Sequence, residues 1–228
     1  MIYKIAFHIF IYSLCLIVPS ATLYAADSND YDRWIVRLRS IHISPDDSSG
    51  DIAINNSAVS NSGVGVDEDT VPELDITYMI TRNIGLELIL ATSNHTVTAR
   101  GSLGALGDVI NTDVLPPTLT LQYHFNPQGV IRPYVGIGVN YTKFYDEKVR
   151  GPLDIAGSDI RLDSSWGLAA QLGVDYMLEN NWFINADIKY IKIDSTARFQ
   201  NTPTSSDVVE VDVDIDPIIV GLGFGKRF

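Results

Sequence analysis

The chain closes on a period-two pattern that few folds can accommodate. Ile218, Val220, Leu222, Phe224 and the terminal Phe228 are apolar and mostly large, whereas Gly221, Gly223, Gly225 and Arg227 between them are small or charged. Successive side chains of a strand point to opposite faces, so this segment has one broad apolar face and one face suited to a crowded interior. A soluble barrel would turn its large apolar residues inward and its polar ones to water. The opposite arrangement suits a strand whose outer face meets hydrocarbon. Just upstream the faces exchange character, with Glu210, Asp212, Asp214 and Asp216 alternating with Val209, Val211, Val213 and Ile215. One strand over 207–228 is expected, with the switch near Pro217 marking the outer edge of the hydrocarbon.

The N-terminus bounds the rest. Residues 1–25 carry one charge, Lys4, an apolar run from Ile5 to Val18 and a small-residue cleavage site at Leu23-Tyr24-Ala25-Ala26, so they read as a signal peptide ahead of a single domain, 26–228. The one cysteine, Cys15, falls inside that segment, which leaves the mature chain without disulfides. No other stretch is long and apolar enough for a membrane helix, so any span is built of strands. The formal charge of −12 becomes −13 when the signal, with Lys4 and no acid, is removed. That balance argues against nucleic acid, whose phosphates need Lys and Arg.

Eight alternating segments follow: 34–43, 71–81, 83–92, 117–125, 132–145, 162–178, 182–194 and 207–228. Their connections alternate between short turns and long polar loops. The fold class expected is all-β, an eight-stranded antiparallel transmembrane β-barrel with short periplasmic turns and long extracellular loops. Parity assigns one apolar face to every strand, for example Leu74, Ile76, Tyr78 and Ile80, or Trp166, Leu168, Ala170, Leu172, Val174 and Tyr176. Aromatic residues collect at both ends of these faces, as interfacial girdles require.

Several runs are distinctive together. Leu115-Pro116-Pro117-Thr118-Leu119, Arg132-Pro133-Tyr134-Val135-Gly136, Asn140-Tyr141-Thr142, Ser165-Trp166-Gly167 and Gly173-Val174-Asp175-Tyr176, with Asn83-Ile84-Gly85 and Asp216-Pro217, resemble the OmpW family over essentially the whole mature chain. Lys226 departs from it, standing where the family commonly has an aromatic residue. The resemblance implies an outer-membrane barrel with a narrow, largely hydrophobic channel associated with uptake of small hydrophobic molecules. It also implies use as a colicin or phage receptor, and the long loops leave open the alternative of a structural or adhesive barrel without transport.

The inner face divides by height. Arg37, Arg39, Glu87, Gln171, Asp175, Asp187, Lys189 and Arg227, with Gln122, His124 and Asn185, are expected to form a hydrogen-bonded polar plug low in the lumen, since unpaired charge in so narrow a space is costly. Ile41, Ile43, Ile89, Phe144, Ile191, Ile193, Val211, Val213, Ile215 and Ile219 are expected to line an apolar upper vestibule. Glu73, Asp75 and Met79 break the partition. Pro116 and Pro117, which cannot donate to a ladder, mark an expected lateral exit into the membrane.

The remaining expectations concern chemistry and partners. No enzyme activity, metal site or cofactor is expected: Ser93 and His95 flank Asn94 with no partner carboxylate marked, and the acids from Glu210 to Asp216 are spread along a strand rather than converging on one ion. The expected partners are outer-membrane lipid and lipopolysaccharide, a small hydrophobic solute, and the barrel-assembly machinery, addressed through the C-terminal strand. The expected location is the bacterial outer membrane.

Overall fold

A computed structural model describes residues 31–46, 48–49, 51–54, 57–200 and 209–228. The signal segment expected over 1–25 lies outside the described residues. The unit formed by Asp32–Phe228 is an eight-stranded antiparallel barrel carrying an extended crown of further strands.

The wall strands are β1 (Trp34–Ser44), β2 (Asp69–Met79), β3 (Ile84–Ala91), β4 (Thr118–His124), β5 (Ile131–Val149), β6 (Ser165–Met177), β7 (Trp182–Ile191) and β8 (Ile218–Arg227). Each pairs with its sequence neighbours, and β8 closes on β1 from Ile35↔Arg227 to Ser44↔Ile218. The ends of the wall are tied by reciprocal bonds between Trp34 and Phe228, N–H to carbonyl, at 3.1 and 2.8 Å. Closure removes every exposed strand edge from the wall, which a membrane demands of a sheet.

The outward faces fall where parity puts them. Ile137, Trp166 and Leu168 are at least 70% exposed, and Leu222, Phe224 and Phe228 more than half. These residues need a hydrocarbon solvent, since so continuous an apolar belt would drive aggregation in water. Lys226 lies over the rings of Trp182 and Phe228, at 5.5 and 5.1 Å, so the girdle keeps its aromatic character around a snorkelling cation. The short turn between β6 and β7 uses Asn180 and Asn181 at φ 56° and 63°, a left-handed conformation that asparagine tolerates better than most residues.

Above the membrane the outcome differs from the sequence expectation. The segment expected as a long loop over 93–116 is a hairpin of two strands, Ser93–Gly101 and Asp108–Leu115, that continues β3 and β4 upward. Ser62–Val66 pairs with its outer edge, and the upper half of β5 with its inner edge. A second, six-stranded sheet contains Asp159–Leu162, Asp194–Gln200 and Val209–Asp214. The strand expected over 207–228 is therefore two strands in two sheets. The break is local: Asp216 has φ 36° and Pro217 follows, while the Asp216 carboxylate accepts the Ile193 N–H at 2.9 Å and the Tyr190 hydroxyl at 2.9 Å. The strand expected over 162–178 divides in the same way at residues 163–164, and the strand expected over 182–194 ends at Ile191.

Two apolar clusters fill the upper molecule. One, with Ile41, Ile43, Phe144, Ile191, Ile193 and Ile219, sits in the mouth of the barrel. The other, with Val97, Ile110, Ile160, Phe199, Val211 and Val213, lies between the crown sheets, and Leu162 and Ile215 pack against both.

Candidate functional site: a charged plug beneath an apolar vestibule

The lower lumen is filled in two tiers of buried charge. In the lower tier Arg37 pairs with Glu87 at 3.1 Å and with Asp175 at 3.0 Å, and Arg227 reaches the same Asp175 at 3.1 Å. Glu87 also accepts hydrogen bonds from Gln171 at 2.6 Å, Gln122 at 2.7 Å and Thr120 at 3.0 Å. In the upper tier Arg39 contacts Asp187 at 2.6 Å, Asp75 at 2.7 Å and Glu73 at 3.0 Å, and Lys189 contacts Glu73 at 2.5 Å and Asp187 at 3.3 Å. Arg39 is aligned for hydrogen bonding to Asp187 and Asn185, whereas its approaches to Glu73 and Asp75 are close charge contacts with poor angles.

Small residues on β8 and β5 make room for these side chains. A β-carbon on Gly221 would strike the Asp187 carboxylate, and one on Gly136 would strike the Gln171 amide. That is why the glycines alternate with the lipid-facing residues: an eight-stranded interior has room for side chains or one small ligand, but not for an open aqueous pore.

All eleven residues named for the plug are buried in this lumen, ten of them in the two tiers and His124 beside them, 3.1 Å from the Gln122 side-chain oxygen. Glu73 and Asp75, the exceptions to the sequence partition, complete the upper tier rather than interrupting the vestibule. They had no assigned partner because their counter-ion, Arg39, is fixed only once β1 and β2 are in register.

Above the plug lies an apolar cavity that is open in part to solvent. Of the residues named for the vestibule, Ile43, Phe144, Ile191, Ile193, Val211, Val213, Ile215 and Ile219 line it. Ile41 is packed in the barrel-mouth cluster without lining the cavity. Ile89 is buried lower, in register with Thr118 and with Asp75. Both sit too close to the plug tiers to reach the open space. The crown supplies lining residues that sequence reasoning had placed in loops, among them Val64, Val66, Val97, Ile110, Val114 and Leu162. A period-two signal was present, Ser93, His95, Val97 and Ala99 on one face, but its polar members concealed it.

Pro116 also lines the cavity, and the wall is open in hydrogen-bond terms beside it. The β3–β4 ladder ends at Ile89↔Thr118 and the same register resumes at Ser93↔Val114, leaving residues 90–92 and 115–117 unpaired between. On the other side the Pro117 carbonyl accepts the Tyr141 N–H at 3.1 Å and the Pro116 carbonyl the Asn140 side-chain amide at 3.1 Å, which leaves the two proline nitrogens. Neither carries a proton to donate.

Ser93 and His95 come together in the cavity wall. Ser93 Oγ is 2.9 Å from His95 Nε2, and His95 Nδ1 is 2.9 Å from the Asp67 carbonyl and 3.5 Å from its carboxylate. The missing third partner therefore exists, supplied by the first extracellular segment. The Asn94 and Thr96 N–H groups donate to Asp69 and Asp67, at 3.0 and 2.6 Å, and hold that segment along the hairpin edge. The acids of the last crown strand are taken up by neighbours across the ladder: Glu210 pairs with Arg198 at 2.9 Å and Asp212 accepts from Thr196 at 2.7 Å.

Comparison with known proteins places this architecture. Outer membrane protein W of Vibrio cholerae is 40% identical over 215 residues, covering 92% of this chain and 94% of the relative. The crystal structure of the outer membrane protein OprG from Pseudomonas aeruginosa superposes with a TM-score of 0.82 at 36% identity, covering 87% and 96% of the two chains. A more distant relative, 23% identical over 95% of this chain and 98% of its own, is the dibenzothiophene metabolism operon protein PahQ of Pseudomonas aeruginosa. The profile of the OmpW family matches residues 32–228, and with it the barrel, its lipid-facing belt and its place in the bacterial outer membrane agree: the chain belongs to the OmpW family.

Proposed function

We propose that the protein admits small hydrophobic molecules from outside through the crown, holds them in the apolar vestibule and releases them sideways into the outer membrane. The observation that carries this reading is an apolar cavity set directly above a lumen packed with ion pairs, with an interrupted ladder opening beside it. A solute with about 200 Å² of apolar surface would forfeit roughly 5 kcal/mol of transfer free energy on passing straight down through charged groups, at about 25 cal/mol per Å². A sideways step at Pro116 keeps it in apolar surroundings throughout. The name of the relative PahQ, which refers to metabolism of an apolar sulfur heterocycle, is consistent with such cargo.

A structural or receptor barrel without cargo calls for an upper lumen filled by side chains, and the cavity favours uptake over that reading. The test is uptake of an apolar fluorophore by cells carrying Ile43→Asn or Ile193→Asn. Both residues line the cavity, so uptake should fall severalfold while barrel assembly persists. Unchanged uptake in correctly assembled variants rejects the vestibule.

A further inference from the structure

The vestibule is apolar in most of its lining, yet four hydroxyl-bearing residues belong to it, Ser93, Thr112, Thr142 and Ser195. Each has its proton committed to the protein. The Thr142 hydroxyl donates to Asn140 Oδ1 at 2.6 Å, the Ser195 hydroxyl to the Asp163 carbonyl at 2.9 Å, and the Thr112 hydroxyl to the carbonyls of Asp113 and Tyr145 at 3.2 and 3.3 Å.

Ser93 follows the same rule through His95. The Asp67 carbonyl, 2.9 Å from His95 Nδ1, can only accept, so in the neutral ring Nδ1 carries the hydrogen and Nε2 is the acceptor. The Ser93 hydroxyl then donates to Nε2 across 2.9 Å, which leaves it only lone pairs to offer. Three further lining residues, Pro45, Pro116 and Pro217, have no N–H to offer. Ser93 and Ser195 lie on opposite crown sheets and, at 6% and 7%, are the more exposed of the four.

Resting on the uptake reading above, we propose that the vestibule is an acceptor-only site that selects apolar molecules bearing one hydrogen-bond donor, such as phenols and alcohols, over matched ethers, esters and ketones. A donor-headed guest meets a serine lone pair. An acceptor-headed guest of the same shape loses its water and finds no proton in exchange, and an unpaired polar group in an apolar setting is costly. The Ser93–His95–Asp67 arrangement thus orients a hydroxyl for recognition. The N–H groups of Asn94 and Thr96 point away to Asp69 and Asp67, so neither of these neighbouring donors is free to stabilise an oxyanion at Ser93.

The test is calorimetric titration of the full mature chain in lipid nanodiscs at about pH 8 with para-cresol and its methyl ether, each corrected for partition into empty discs. The phenol should bind about three- to tenfold more tightly, the span of one net hydrogen bond. His95→Phe releases the Ser93 proton to the cavity, so the ether should gain affinity and the ratio should fall towards one. Equal affinity for the two probes in the unaltered protein overturns the inference and leaves the uptake reading standing, as does an unchanged ratio in a folded His95→Phe variant. Binding of neither probe overturns both. The ratio in the unaltered protein decides the matter even if the variant fails to fold.

Discussion

Replacing Arg39 with methionine should damage the barrel more than the same change at Arg37, although both arginines are fully buried among carboxylates. The difference lies in what each leaves behind. The upper tier holds Arg39 and Lys189 against Glu73, Asp75 and Asp187, a formal charge of −1 that becomes −2 without Arg39. Asp75 then loses its 2.7 Å ion-pair partner, and neither of its carboxylate oxygens has an aligned hydrogen bond to fall back on. Stranding a buried charge in this way costs about 3–5 kcal/mol. The lower tier begins neutral, with Arg37 and Arg227 against Glu87 and Asp175. Without Arg37, Glu87 keeps the amides of Gln122 and Gln171, and Asp175 keeps Arg227 and Asn185. The cost there should be nearer 1–3 kcal/mol, that of lost charge-assisted hydrogen bonds. The double variant Arg39→Met, Asp75→Leu returns the upper tier to −1 and should recover most of the loss, since removing both halves of a buried pair is often close to neutral. The assay is urea unfolding of the protein folded into lipid vesicles, followed by emission of Trp34, Trp166 and Trp182, all on the lipid-facing surface. Equal midpoints for the two single variants, or a double variant as unstable as Arg39→Met alone, would falsify the two-tier account.

Restoring the missing donors with Pro116→Ala, Pro117→Ala should let the β3–β4 and β4–β5 ladders close beside the cavity. Amide protection at residues 90–92 should rise and solute transfer should slow, with calorimetric affinity for the solute unchanged; transfer at the normal rate despite increased protection would dismiss the lateral exit. In the crown, the hydrogen bond that the protonated Asp214 carboxyl donates to Asp194 across the strand pair raises Asp214 above its usual 3.8, with Asp216 adding to the rise and Lys192 opposing it. The folded form therefore holds its proton more tightly than the unfolded form, and this pair's contribution to stability declines as pH rises from about 3.8 through the raised value. Asp214→Asn should remove that decline and increase amide protection of Val211 and Val213 at neutral pH, as hydrogen exchange at two pH values will show; protection that remains equally pH-sensitive counts against the carboxyl pair.

The wall strands are legible in the sequence because two solvents of opposite character read each strand. Hydrocarbon outside requires a large apolar side chain at every second position, and a packed lumen requires small or charged ones between, so Gly221, Gly223 and Gly225 beside Leu222 and Phe224 leave little choice of fold. The crown strands have water outside and a mixed surface inside. On Ser93–Gly101 the inner face carries Ser93 and His95 as well as Val97 and Ala99, and the outer face carries Asn94, Thr96 and Thr98, so little contrast survives between the faces. Such a strand reads as a polar loop. The break in the final strand was half visible: the face exchange near Pro217 locates it, but only tertiary pairing shows that Val209–Asp214 leaves the wall to join Asp194–Gln200. Ion-pair partners were hidden for a related reason, since Arg39 and Asp187 are separated by 148 residues and meet only when the barrel closes. The polar members that blurred the crown's alternation are the same groups that give the vestibule its hydrogen-bond character. Ser93, His95 and Ser195 interrupt an otherwise apolar face, each finds a partner only in the folded chain, and a uniformly apolar crown would have been easier to read while leaving the cavity unable to distinguish one apolar solute from another by its polar group.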